Sequence, residues 1–156
     1  MKKQILLLLV VILLGLQARA QDAHYDQALG LKFPGGLSVT WKKFLNPTQN
    51  IEAQATFWQK GFRVGGLYEF TFYTFDEVPG LAAFAGPGAH IGFWKNKYKP
   101  ESNSSAEFGI DGILGLDYKI PDLPINISLD WQPSIILAGS EGFTPNFGGI
   151  AIRYTF

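Results

Sequence analysis

The chain has 156 residues, with 13 Lys and Arg against 13 Asp and Glu and no cysteine, so neither a disulfide-stapled secreted domain nor a polyanion-binding protein is indicated. Glycine (18 residues) and aromatic side chains (15 %) are abundant while only 17 % of residues are charged. No stretch beyond residue 20 carries a 3.6-residue apolar period, which favours an all-β chain with almost no helix.

At the amino end, Lys2-Lys3 precede an apolar run from Ile5 to Leu16 and then Ala18-Arg19-Ala20. This is the pattern of an export signal over residues 1–20, cleaved before Gln21, with Ala18 and Ala20 as the small residues of the cleavage site. The run is too short to cross a bilayer as a helix, which takes about 20 residues. No cysteine follows it to accept a lipid. The expected mature domain is 21–156. Without Lys2, Lys3 and Arg19 it keeps 10 basic residues against 13 acidic ones, a net charge of about −3, too weak for a nucleic-acid partner. His24 is too isolated to suggest a metal site.

From residue 27 onward the chain alternates. Strands are expected at 27–33, 37–44, 51–58, 62–74, 81–94, 107–119, 124–137 and 147–156. One parity carries Leu29, Leu31 and Phe33, then Leu37, Val39 and Trp41, and later Ile125, Ile127, Leu129 and Trp131. The apolar parity flips between strands, to even positions in Val64, Tyr68 and Phe70, in Ile110, Leu114 and Leu116 and in Ile150 and Ile152, and the polar parity of each strand carries Lys32, Glu52, Arg63, Glu69, His90, Asp111, Asp117, Asp130 and Arg153, with Asn126, Ser128 and Gln132, so that the apolar face is expected to carry no charge. A soluble sandwich also alternates. Here, however, the polar face is rich in glycine (Gly30, Gly86, Gly88, Gly92, Gly115), which suits the crowded inside of a narrow barrel better than a solvated sheet face. Trp41, Phe70, Phe72, Tyr118, Tyr154 and Phe156 fall toward one edge, and Phe33, Phe57, Phe93 and Trp94 toward the other, as two interfacial girdles require. Pro34-Gly35-Gly36 reads as a hairpin tip or as a bulge in one long strand. An even strand number with both ends on one side favours the tip and a count of eight.

The last residues, Ile150-Ala151-Ile152-Arg153-Tyr154-Thr155-Phe156, form an alternating strand ending on Phe. This ending resembles the assembly signal of bacterial outer-membrane β-barrels. Together with Phe108 to Leu116 and Leu129-Asp130-Trp131-Gln132-Pro133, it makes the mature chain similar to small eight-stranded outer-membrane barrels of the OmpA/OmpX-like group. The resemblance implies an all-β, up-and-down antiparallel transmembrane barrel in the outer membrane of a Gram-negative bacterium. Its implied partners are membrane lipid and lipopolysaccharide and the barrel-assembly machinery, which would recognise Tyr154 and Phe156. A monomer without cofactor is expected.

An eight-stranded barrel is normally filled by its own side chains, so a structural or surface-interaction role is expected rather than conduction. Buried charges should pair: Arg153 is expected to bridge to Asp130 or Asp117, and Arg63 to sit near His90 and Asp111. A small-ligand barrel or narrow channel is the alternative. His90 and Asp111 invite comparison with a hydrolytic pair, but both point inward and no serine has a compelling context, so a lipid-modifying enzyme ranks last. Lys95, Lys97 and Lys99 open a polar loop over 95–106 that reads as a solvated segment. A second loop is expected over 138–146.

Overall fold

The computed structural model describes residues 25–95, 105–139 and 142–156, apart from the side chain of Asn146. The expected signal segment with Ala18, Ala20 and Gln21, together with His24, Lys97 and Lys99, lies outside the described residues.

Eight strands follow one another: β1 (Gln27–Phe33), β2 (Leu37–Asn46), β3 (Gln49–Trp58), β4 (Gly61–Thr74), β5 (Leu81–Trp94), β6 (Ala106–Lys119), β7 (Ile125–Ala138) and β8 (Gly142–Thr155). Each pairs antiparallel with its sequence neighbours, and β1 pairs with β8 to close the barrel. Closure leaves no unpaired strand edge. Both ends of the barrel chain, Gln27 and Thr155, emerge at one mouth, called here the terminal mouth. The β2–β3, β4–β5 and β6–β7 links also lie there, and the β1–β2 and β3–β4 links lie at the far mouth.

Residues 34–36 are a hairpin link, since β1 and β2 pair from Gln27↔Lys43 to Lys32↔Ser38. Several strands run longer than their hydrophobic pattern indicates. β2 and β3 continue to Asn46 and from Gln49 because Asn46 Oδ1 accepts from the amide and the hydroxyl of Thr48 (3.0 and 3.1 Å), building a turn around Pro47-Thr48. The largest departure is β8, which starts at Gly142 instead of 147. Pro145 and the glycines hide this part of the strand in the sequence. It nevertheless pairs, with Thr144 opposite Ser134 and Phe143 opposite Ile135, after a register shift at Pro133, a place where a ladder tolerates proline. The Pro145 carbonyl accepts the indole N–H of Trp131 at 2.9 Å.

The two faces of the wall are inverted relative to a soluble protein. Leu29, Leu31, Val64, Ile91, Ile110, Leu114, Leu129 (57 % exposed) and Ile152 point outward, while the buried set is dominated by Lys, Arg, Glu, Asp, Asn, Gln, Ser and Thr. On the inside, Leu67, Phe84 and Ile113 form an apolar cluster, a wedge along β4, β5 and β6. Outward aromatic residues gather near the two rims. Phe57, Phe62 and Phe93 stack across three strands at the far mouth (centroids 6.3 and 4.9 Å), and Tyr154 and Phe156 stack at the terminal mouth (6.2 Å). Lys43 corrects the expectation of a charge-free outer face: it is exposed at outward parity beside the terminal mouth. Trp94 is corrected as well, since its indole turns inward and donates to Glu107 (2.8 Å).

The seam between β1 and β8 requires a glycine. Gly30 sits between Thr40 and Arg153 in register, and a β-carbon there would collide with the Ile152 carbonyl and lie 2.5 Å from Arg153 Cα. Gly66 faces open space. Gly30→Ala should therefore destabilise the fold by about 1–3 kcal/mol, and Gly66→Ala should change it by no more than about 0.5 kcal/mol, both read from denaturant midpoints.

Candidate functional site: the charged interior

Alternation along eight tilted strands turns every second side chain into a lumen too narrow to hydrate them all. The interior is therefore a site built from pairing. At its centre, the Arg153 guanidinium makes five contacts that match its five N–H donors. Nε donates to Thr40 Oγ1 (2.9 Å). Nη1 donates to Asn126 Oδ1 (3.1 Å) and Ser128 Oγ (2.7 Å). Nη2 reaches both Glu52 oxygens (3.0 and 2.9 Å). Gln54 donates to Glu52 Oε1 as well (2.8 Å).

The expected bridge from Arg153 to Asp130 or Asp117 is replaced by this pair with Glu52. Asn126 is the cross-strand neighbour of Arg153 on β7 and Gly30 is its neighbour on β1. With no side chain at Gly30, the guanidinium leans over β1 toward Thr40 and Glu52. The two aspartates have other partners. Asp130 lies 2.5 Å from Lys32 Nζ. Asp117 accepts from Lys42 (3.2 Å), Asn126 (2.7 Å) and the Tyr25 hydroxyl (3.2 Å). Burial, reinforced by the Asp117 carboxylate, pushes the Tyr25 phenol well above its usual range.

Lys42 is the interior residue that sequence reasoning passed over. It is 1 % exposed, and its Nζ lies 2.9 Å from Glu69, 3.2 Å from Asp117 and 3.6 Å from Glu52. Its link from β2 to β6 joins strands four apart around the ring, so it crosses the lumen. Its parity, shared with Ser38 and Thr40, is the signal that could have found it. Glu107 and Lys119, at the two ends of β6, are inward residues that sequence reasoning also missed.

A second cluster lies toward the far mouth. Arg63 Nη2 donates to Asp111 Oδ1 (2.5 Å) and to Ser134 Oγ (2.8 Å), Ser134 also bonds to Asp111, and His90 Nδ1 is 2.9 Å from the same carboxylate. Arg63 stacks over the Phe147 ring at 4.0 Å. The structure thus brings Arg63, His90 and Asp111 together. Ser134 bonds to Asp111, however, and does not face His90 Nε2, which is 3.9 Å from Glu107 Oε1. The three do not form a serine–histidine–aspartate relay. Among the described residues, no group of three or more His, Cys, Asp and Glu is placed to hold a metal ion.

A cycle on the central pair tests its energetics. Arg153→Met strands Glu52 in the lumen and should cost about 3–5 kcal/mol. The double variant Arg153→Met with Glu52→Gln should recover at least about 1 kcal/mol of that loss. Additive effects in equilibrium unfolding would show that the two residues are not coupled.

Comparison with protein-family models, with curated proteins and with solved structures gave no match, so function is read from the geometry alone.

Proposed function

We propose that this protein is an integral outer-membrane β-barrel of a Gram-negative cell, exported by its first 20 residues, with a structural or surface-interaction role and no catalytic turnover. The observation that carries the reading is the inverted wall. A soluble barrel hides its apolar side chains and shows its charges, whereas here Leu114, Leu129 and Ile152 face outward while Arg153, Lys42 and Glu69 are buried. An outward apolar face of this extent needs a hydrocarbon solvent. A closed ladder is the only sheet that hydrocarbon tolerates, because every backbone group must be paired within the protein. No helix of the described residues is long and apolar enough to cross a membrane, a test that does not bear on strands.

The aromatic rims fit two bilayer interfaces, where amphipathic rings settle at the headgroup level. Lys43, beside the terminal mouth, can snorkel to the headgroups there. Cross-lumen links such as Lys42 to Asp117 favour a rigid filled barrel over a conducting pore. The terminal mouth then faces the periplasm, and the far mouth meets lipopolysaccharide and the exterior. Tyr154 and Phe156, stacked at the end of β8, would be read by the barrel-assembly machinery. A monomer suffices, since closure leaves no edge to share.

Outer-membrane fractionation with unboiled and boiled gel lanes should give a band whose mobility changes on heating. In lipid, Leu114→Arg should destabilise the fold by about 2–4 kcal/mol. A soluble, heat-insensitive periplasmic product on which Leu114→Arg has no cost would refute the membrane reading. Deleting Phe156 should lower the inserted fraction at unchanged synthesis, and equal insertion would remove its signal role.

A further inference from the structure

The rim of the far mouth is stepped. β1 ends on Phe33, opposite Ile150, whereas β8 begins at Gly142, so residues 142–149 rise above the last rung shared with β1. Strand tilt offsets neighbours in an eight-stranded barrel by only about one residue. The step is therefore built into the wall, with the β7–β8 ladder standing over the low Pro34-Gly35-Gly36 link. At the terminal mouth the same two strands finish level, Gln27 and Phe156 exchanging both backbone hydrogen bonds (2.9 Å each).

Outward side chains beside the step stay apolar. Ile135, Leu137 and Phe143 (63 % exposed) continue the stripe of Leu129 and Ile150 upward, and Phe33 and Leu37 flank the low link on its other side. The step thus lies within the apolar band of the outer wall. A cavity of about 680 Å³ occupies it, within the range of small-ligand sites. Gly35 and Gly36 form its sill, and Trp58, Trp94, Phe143 and Phe147 supply aromatic walls, each partly exposed. Phe143 pairs with the outward Ile135, so a residue of the outer wall also lines the cavity, which reaches the outer surface through the step. Trp58 and Trp94 meet edge to face (5.8 Å), and Glu107 accepts the Trp94 indole N–H, so that donor makes no demand on a ligand. The charges of the lining, Lys60 and Glu107, balance. Lys60 is exposed on the β3–β4 link, and Glu107 is buried against Trp94. Such a lining does not select a charged ligand; aromatic carbon that opens sideways onto an apolar wall selects hydrocarbon.

We propose that a lipid hydrocarbon chain of the outer leaflet enters this cavity through the step between β8 and the β1–β2 link and packs against Trp58, Trp94 and Phe147. The proposal rests on the membrane reading, because hydrocarbon reaches the step only if the outer wall stands in lipid. A soluble ligand arriving from outside the cell is the competing occupant. The medium that the two tryptophans meet separates these cases.

Fluorescence quenching by brominated lipid tests it. Trp41→Phe with Trp131→Phe removes the two outward indoles and keeps Trp58 and Trp94. In phosphatidylcholine vesicles with dibrominated acyl chains this double variant should lose emission relative to unbrominated vesicles. Thr144→Arg on the same background places a charge at the step and should restore most of that emission. If Thr144→Arg fails to fold, Phe143→Gln replaces it with the same expected result. The wild-type protein, whose Trp131 is 51 % exposed on the outer wall, reports on the membrane reading separately: emission indifferent to bromine would refute that reading and this proposal with it. Quenching of the wild type without quenching of the double variant overturns this proposal alone. Quenching that neither Thr144→Arg nor Phe143→Gln reduces does so too, since bromine would then act through the wall. Quenching of the double variant by aqueous acrylamide in place of bromine would assign the cavity to water and its solutes, and overturn the proposal as well.

Discussion

The fold depends on keeping a row of buried charges paired, and the contact that organises them is the Arg153–Glu52 pair. Removing a charged group from water costs several kcal/mol, and that cost is met only when geometry is good and every remaining donor is used. Arg153, on β8, meets the condition because five acceptor contacts from β2, β3 and β7 converge on one guanidinium. The same condition fixes its neighbours. Once Glu52 is taken, Lys42 turns to Glu69 and Asp117, and Asp130 turns to Lys32. A slip of one residue in any strand would carry its charges to the apolar outer wall, so the network and the register enforce each other.

Close approach at the seam follows from that network. The guanidinium needs room above β1, and Gly30 provides it while letting the backbones of β1 and β8 meet. Elsewhere the wall uses the same device for other neighbours: a β-carbon on Gly109 would strike the His90 ring, and one on Gly92 would strike Glu107. Glycine is frequent on the inner face because large polar side chains from other strands lie across it.

The interior is also uneven. Between the two charged clusters, β4, β5 and β6 contribute Leu67, Phe84 and Ile113, which narrow the lumen without hydrogen-bonding demands. On the far side, Asp111 gathers Arg63, His90 and Ser134 around one carboxylate. On the terminal side the lumen widens into a cavity walled by Tyr25, Phe44, Phe75 and Phe84.

Strand number, the all-β class and the sidedness of most residues were legible in the sequence, because a strand's period of two writes inside and outside directly into alternation. Lys32, Arg63, Asp111 and Arg153 could be assigned inward from parity alone. Strand ends were less legible: Asn46 and Pro145 look like loop residues until a turn or a facing strand uses them. The partners of the buried charges were not legible at all. Parity says that Arg153 points inward, but an empty position at Gly30, two strands already committed to Asp117, and a lysine at a strand end decide that it meets Glu52. Alternation is local and one-dimensional, so the sequence by itself determined which side chains enter the lumen. Which of them touch, and where an acceptor is left without a donor, depends on shear and closure around the ring, and only the tertiary structure decided that.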